Sequence, residues 1–182
     1  MKRHCLSTMY GVGLIRIAPG TFGSAVAALL AYPILMLPQG YLWLTLGAGL
    51  FTLLGTANAS RFMRDRHTTH DPQEIVIDEL IGQWLTYSIS LGWLWLMTDG
   101  SKQSASLLQE VAASPVWLCV GFVLFRLFDI VKPWPIRAAD RHIRGGFGVM
   151  FDDILAAIPA GTLLYIAYLS APLLTGTVEV NP

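Results

Sequence analysis

The sequence predicts an all-α fold: a compact, membrane-embedded helical bundle of about five apolar helices with shorter interfacial helices, one domain over residues 1–182. Three observations predict it. The chain is 54% hydrophobic and only 13% charged, about half the charge of an average soluble domain. Its charges flank long charge-free runs: 44 residues between Arg16 and Arg61, 19 between Glu79 and Asp99, 15 between Glu110 and Arg126, and 25 between Asp153 and Glu179. Nearly all of its positive charge also falls on one side of those runs. The same composition excludes a disordered chain. With 12 Lys and Arg against 12 Asp and Glu, the net charge is zero, which disfavours a nucleic-acid binder.

A spanning helix needs about 20 mostly apolar residues. The first two candidates, 24–37 and 41–58, come from dividing the longest run at Pro38-Gln39-Gly40, a good turn. The first is short and contains Pro33, so a kinked or partly inserted segment is expected. The third is 80–97. The fourth, 115–131, is stopped by Pro133 and Pro135, and the fifth is 154–174. A soluble bundle is the competing architecture, but water rarely tolerates apolar runs this long. No signal peptide is expected: Lys2, Arg3 and His4 are not followed by a clean apolar region and a small-residue cleavage site. Cys5 and Cys119 give neither a disulfide framework nor zinc spacing, and Cys119 is expected to be an inert packed thiol.

With the N-terminus on the cytoplasmic side, 11 of the 12 Lys and Arg lie inside and only Lys102 lies outside, as the positive-inside rule requires. Nine of the twelve acids then also lie inside, although acids play no part in setting the orientation.

Four polar constellations share that side. In Ala18-Pro19-Gly20-Thr21-Phe22-Gly23-Ser24, two glycines let the backbone approach a ligand, and Thr21 or Ser24 can cap a helix start that favours an anion. Taken alone, this block is better explained as a simple capped helix start. In the stretch from His70 to Glu79, Asp71 reads as an N-cap and Glu74 as its capping-box partner. Asp78 and Glu79 have no such duty. Three carboxylates, Glu74, Asp78 and Glu79, crowded at a hydrocarbon boundary call for a cation, unless they form a solvated acidic collar. In Phe125 to Ile136, Asp129 occupies the last helical turn, where the macrodipole disfavours an anion. Arg126 at i−3, Lys132 or a metal must answer it, and Lys132 and Arg137 are candidate phosphate contacts. In Gly145 to Asp153, two adjacent carboxylates, Asp152 and Asp153, exceed what one N-cap needs, so at least one is a candidate metal ligand. The histidines show no metal-ligand spacing.

Carboxylates without a His or Cys cluster point to a hard cation, Mg²⁺ before Zn²⁺. Combined with Lys, Arg and an anion-friendly helix start, they suit phosphate chemistry at the bilayer surface. Cysteine phosphatases are excluded, because neither Cys5 nor Cys119 precedes an Arg at C-x5-R spacing.

The four blocks, Ala-Pro-Gly-Thr-Phe-Gly-Ser at 18–24, Ile-Val-Ile-Asp-Glu-Leu-Ile-Gly at 75–82, Phe-Arg-Leu-Phe-Asp-Ile-Val-Lys-Pro-Trp-Pro-Ile at 125–136 and Gly-Gly-Phe-Gly-Val-Met-Phe-Asp-Asp at 145–153, resemble the phosphatidylglycerophosphatase A family. The resemblance covers about residues 11–170, and Ala156-Ala157 departs from the Ala-Gly expected there. It implies a multi-pass, Mg²⁺-dependent phosphatase of the bacterial inner membrane that converts phosphatidylglycerophosphate, a phospholipid substrate within the bilayer, to phosphatidylglycerol. On this reading Glu74, Asp78, Glu79, Asp129, Asp152 and Asp153 supply ligands for one or two ions. Asp78, Glu79, Asp129 and Asp153 carry the catalysis, and Thr21, Ser24, Lys132 and Arg137 hold phosphate. The rivals are another carboxylate-metal lipid phosphotransferase and a small cation or proton transporter. A transporter predicts acids at mid-membrane depth and an outward opening.

Overall fold

The computed structural model describes residues 5–67, 72–98 and 102–175. Lys2, Arg3, His4, His70, Asp71, Asp99 and Glu179, with the expectations attached to them, lie outside these. After a short 3-10 segment at Met9–Leu14 come α1 (Pro19–Leu35), α2 (Gly40–Asp65), α3 (Ile77–Met97), α4 (Lys102–Ala113), α5 (Pro115–Val131), α6 (Ile136–His142) and α7 (Gly145–Thr175). No strand occurs among the described residues. Every apolar run expected to be a helix is one.

The helix ends follow local chemistry. Ala18, in the left-handed region at φ 47°, precedes Pro19 at the first position of α1, so Thr21 and Ser24 lie inside the helix rather than capping it. Gln39, at φ 54°, turns the chain between α1 and α2 where Pro38-Gln39-Gly40 predicted a turn. The Ser114 hydroxyl accepts from the Trp117 amide at 3.3 Å to cap α5, with Pro115 behind it. Pro133 forbids helix at Lys132, which takes a left-handed conformation at φ 43° and ends α5.

Helix α3 is the axis of the bundle and packs against α1, α2, α4, α5 and α7. Its polar side chains Gln83, Thr86, Ser88 and Ser90 are buried. Three of its residues bond to neighbouring chain: Trp84 Nε1 donates to the Ala27 carbonyl at 3.0 Å, the Tyr87 hydroxyl to Leu118 at 2.8 Å, and the Ser88 hydroxyl to Tyr41 at 3.1 Å. Helix α7 lies close alongside: a Cβ on Gly161 would stand 2.7 Å from the Thr86 carbonyl, so only glycine permits this approach. The outer surface shows the reverse pattern, with Leu29, Leu46, Leu53, Val123, Ile130 and Ile166 all exposed. Polar residues inside and aliphatic residues outside suit a chain solvated by lipid.

By length and composition, α2 and α7 are sufficient to cross a membrane, and α4 with α5, bent by 74° at their junction, makes a third, broken span. The five expected spans thus reduce to two or three that qualify by themselves. Helix α1 has 17 residues. Helix α3, 21 residues long and lined with buried polar side chains, is not among those that qualify. Cys119, expected to be packed, is exposed on the outer side of α5.

Candidate active site

The start of α3, the end of α5 and the second and third turns of α7 meet at one end of the bundle, and there the carboxylates gather. Asp78, Glu79 and Asp153 each offer an oxygen within 4.8 Å of the others, and so do Asp129, Asp152 and Asp153. Asp153 is common to both triads. Asp78, Asp152 and Asp153 are buried, and Glu79 and Asp129 are largely so.

The local folding differs from the sequence reading at two of these elements. Helix α3 begins at Ile77 behind Val76, so Glu74 precedes the helix instead of standing in its first turn. The preceding strip is tied elsewhere: the Val76 amide donates to the Ser7 carbonyl at 2.8 Å, and Ser7 in turn bonds through its hydroxyl to Asn58 of α2 at 2.6 Å. Glu74 therefore sits in a turn, facing Arg66 at 3.7 Å, and joins neither triad. Helix α7 begins at Gly145, so Asp152 and Asp153 are its eighth and ninth residues and neither is an N-cap. The glycines expected to form a loop are its first turn. There, a Cβ on Gly146 would press on Thr56 and Ser60 of α2, 2.7 Å from the Ser60 amide.

Two cations answer part of the negative charge. Arg126 binds Asp129 at 2.7 Å and lies 3.7 Å from Glu79, so the local salt bridge and the cluster coexist. Gly20 of α1 is the floor beneath this group, where any Cβ would strike Glu79 and come within 3.2 Å of the Arg126 guanidinium. Lys132 bonds Asp140 at 2.9 Å and also bonds Asp152. Burial pulls the Lys132 ammonium down, but the Asp152 and Asp140 carboxylates outweigh it and hold the group above its ordinary value. The link from Lys132 to Asp152 and the involvement of Asp140 were not foreseen from the sequence.

The remaining candidates fall at varied distances from the cluster. The Ser24 hydroxyl is buried and donates to the Gly20 carbonyl at 3.0 Å, with Arg126 Nη1 3.4 Å away. Thr21 is half-buried in the first turn of α1. Arg137 is exposed and donates to the Val131 carbonyl at the end of α5 at 3.1 Å. A separate cavity of about 430 Å³ lies between the far ends of α1 and α3, the start of α2 and α4, lined by Leu35, Tyr41, Leu91, Trp95 and Leu108 among others. None of the carboxylates borders it.

The donor set fits a hard cation. Glu79 Oε2, Asp152 Oδ1 and Asp153 Oδ2 are buried with no hydrogen-bond partner among the described residues. Five carboxylates answered by two cations leave an excess of buried negative charge that a divalent ion would neutralise.

Among protein-family models, the one described as phosphatidylglycerophosphatase A matches residues 5–168. The chain is 35% identical over 162 residues to phosphatidylglycerophosphatase A of Escherichia coli (strain K12), covering 89% of this chain and 81% of that protein. It is likewise 35% identical over 164 residues to phosphatidylglycerophosphatase A of Haemophilus influenzae, covering 89% and 86%. No solved structure matches it.

Proposed function

The chain belongs to the phosphatidylglycerophosphatase A family, and from that premise we propose that it hydrolyses the terminal phosphomonoester of phosphatidylglycerophosphate, with Mg²⁺ held by its buried carboxylates, at the cytoplasmic face of the bacterial inner membrane. The observation that carries this reading is the pair of overlapping triads sharing Asp153, formed by side chains of α3, α5 and α7. Asp78, Glu79 and Asp153 would hold one ion, and Asp129, Asp152 and Asp153 a second. Bound there, Mg²⁺ supplies positive charge for the phosphoryl oxygens and makes water a better nucleophile.

The chain's own residues do the rest. Lys132, beside Asp152 at the edge of the cluster, offers the phosphate an ammonium, and Thr21 a hydroxyl. Arg137 lies further out, as a guide for the anionic headgroup. Arg126, paired with Asp129 and Glu79 and bonded to Ser24, keeps those carboxylates aligned. Hydrolysis forms a bond from water oxygen to phosphorus and breaks the ester bond to glycerol. A cluster carboxylate accepts the water proton, and the departing glycerol oxygen takes up one proton. The acyl chains remain in the bilayer throughout. The gathering of the acids at one end of the bundle favours this reading over a transporter, which needs acids at mid-depth.

The test is phosphate release from phosphatidylglycerophosphate by the purified protein, with Mg²⁺ and with chelator, using water alone or an added alcohol acceptor. Magnesium-dependent release of inorganic phosphate with phosphatidylglycerol as the lipid product is expected. Transfer of phosphate to the alcohol would instead identify a phosphotransferase.

A further inference from the structure

The Lys132 ammonium has three N–H donors, and contacts among the described residues account for two of them. One goes to Asp152, a member of the triad of Asp129, Asp152 and Asp153. The other goes to Asp140 Oδ1 at 2.9 Å, and Asp140 belongs to neither triad. A partly exposed lysine–aspartate pair is ordinarily worth little, because two flexible side chains must give up their freedom to meet. Here the backbone does much of that ordering beforehand. Lys132, at φ 43° before Pro133, closes α5, and its amide donates to the Phe128 carbonyl at 2.9 Å. Asp140 rides on α6, which is seated by the buried Ile136 and by the Arg137 bond to the Val131 carbonyl at 3.1 Å. The Lys132 side chain is 25% exposed and that of Asp140 43%, so the ammonium stands at the rim of the carboxylate cluster.

We infer that Asp140 is a positioning residue for phosphate recognition: it tethers the Lys132 ammonium at the rim of the cluster and leaves the third N–H for the phosphate. This inference rests on the metal-dependent reading given above. A carboxylate that ligates a divalent ion shares its charge with that ion, and the ion repels an ammonium beside it, so the hold of Asp152 on Lys132 weakens when the site is loaded. Asp140, outside both triads, keeps its full charge for the lysine. Without it, the flexible four-carbon stem lets the ammonium leave the rim.

The experiment compares wild type, Asp140→Ala, Asp140→Glu, Lys132→Met and the double variant Asp140→Ala/Lys132→Met, purified in the same detergent. It measures kcat and KM for phosphatidylglycerophosphate. It also measures the rise in unfolding midpoint given by Mg²⁺, and the further rise when inorganic phosphate is added to the Mg²⁺-loaded protein. Alanine suits an exposed helix position, so Asp140→Ala is expected to fold and to keep the full Mg²⁺-induced rise. Its KM should rise by about 3- to 10-fold with kcat little changed, and its phosphate-induced rise should shrink. Asp140→Glu, which keeps a carboxylate, should recover most of both. Lys132→Met should lose at least as much as Asp140→Ala, and the double variant no more than Lys132→Met, because Asp140 acts through the lysine. A wild-type KM and phosphate response in Asp140→Ala, a further loss in the double variant, or a diminished Mg²⁺ response in Asp140→Ala overturns the inference while leaving the metal reading intact. No phosphate release by wild type overturns both.

Discussion

Replacing Asp153 by Asn is expected to move stability and function in opposite directions. Asp153 is 3% exposed, and its carboxylate lies within 4.8 Å of oxygens on Asp78, Glu79, Asp129 and Asp152. Two unit charges 4.8 Å apart repel by about 3.5 kcal/mol at an effective dielectric of about 20. Attraction to Arg126 and Lys132 and proton sharing among the carboxylates relieve much of that repulsion, leaving about 1–3 kcal/mol of net strain at this position. Asparagine keeps the shape and removes the charge. In a chelator-treated sample the variant should therefore unfold later than wild type, at about 2–4 °C per kcal/mol for a chain of this size. With Mg²⁺ the order should reverse, because the shared ligand of both triads is gone, and phosphate release should fall by more than about 100-fold, beyond what loss of a supporting group costs. Thermal unfolding with and without Mg²⁺, alongside the phosphate assay, reads both effects. An Asp153→Asn protein that is less stable than wild type in chelator and equally stabilised by Mg²⁺ would refute the account of Asp153 as a charge-strained ligand.

Further outcomes follow from the surrounding contacts. Lys132→Met leaves Asp152 buried without its cation and should cost about 2 kcal/mol without metal, less than a fully buried pair because Lys132 is one-quarter exposed; the unfolding midpoint checks it. The pH dependence of that loss has a definite sign. A lysine whose folded value is raised contributes stability that is fully present below its ordinary 10.5 and is lost only as pH rises through the higher folded value, so the gap between Lys132→Met and wild type should stay constant from about pH 7 to 9. A gap that closes over that range would contradict the pairing. Gly20→Val forces a side chain into Glu79 and Arg126, and should lower phosphate release at least tenfold while costing about 1–3 kcal/mol, measured by activity and unfolding together. Arg126→Met strips the counter-ion from Glu79 and Asp129 and should destabilise the chelator-treated protein more than the Mg²⁺-loaded one.

The helices were legible because hydrophobic runs and their Pro and Gly boundaries are local signals, as at Pro38-Gln39-Gly40 and at Pro133. The convergence of Asp78, Glu79, Asp129, Asp152 and Asp153 could be anticipated because the expected topology sets each where an apolar run ends on one side, and the structure gathers them at one end of the bundle. Features set by contacts distant in sequence were not legible. The start of α3 at Ile77 is one: the Val76 amide just before it is held by the Ser7 carbonyl, some 70 residues earlier, a contact that the local pattern around Glu74 does not carry. The Lys132–Asp152 link spans 20 residues and depends on how α6 turns the chain back. Helix α4 occupies a stretch that matched no expected motif.

The buried polar face of α3 also bears on how the protein is made. A helix that carries Gln83, Ser88 and Ser90 toward its neighbours is better suited to a protein surround than to lipid, even though the Thr86 and Ser88 hydroxyls also bond to carbonyls of their own helix. It becomes comfortable only when α1, α2, α5 and α7 surround it. The last of these is also the last to be synthesised. Asp78 and Glu79 ride on α3 and Asp152 and Asp153 on α7, so the carboxylate cluster comes together in the same late event that shelters the polar axis. A chain that has not yet packed α7 against α3 therefore holds no complete carboxylate centre.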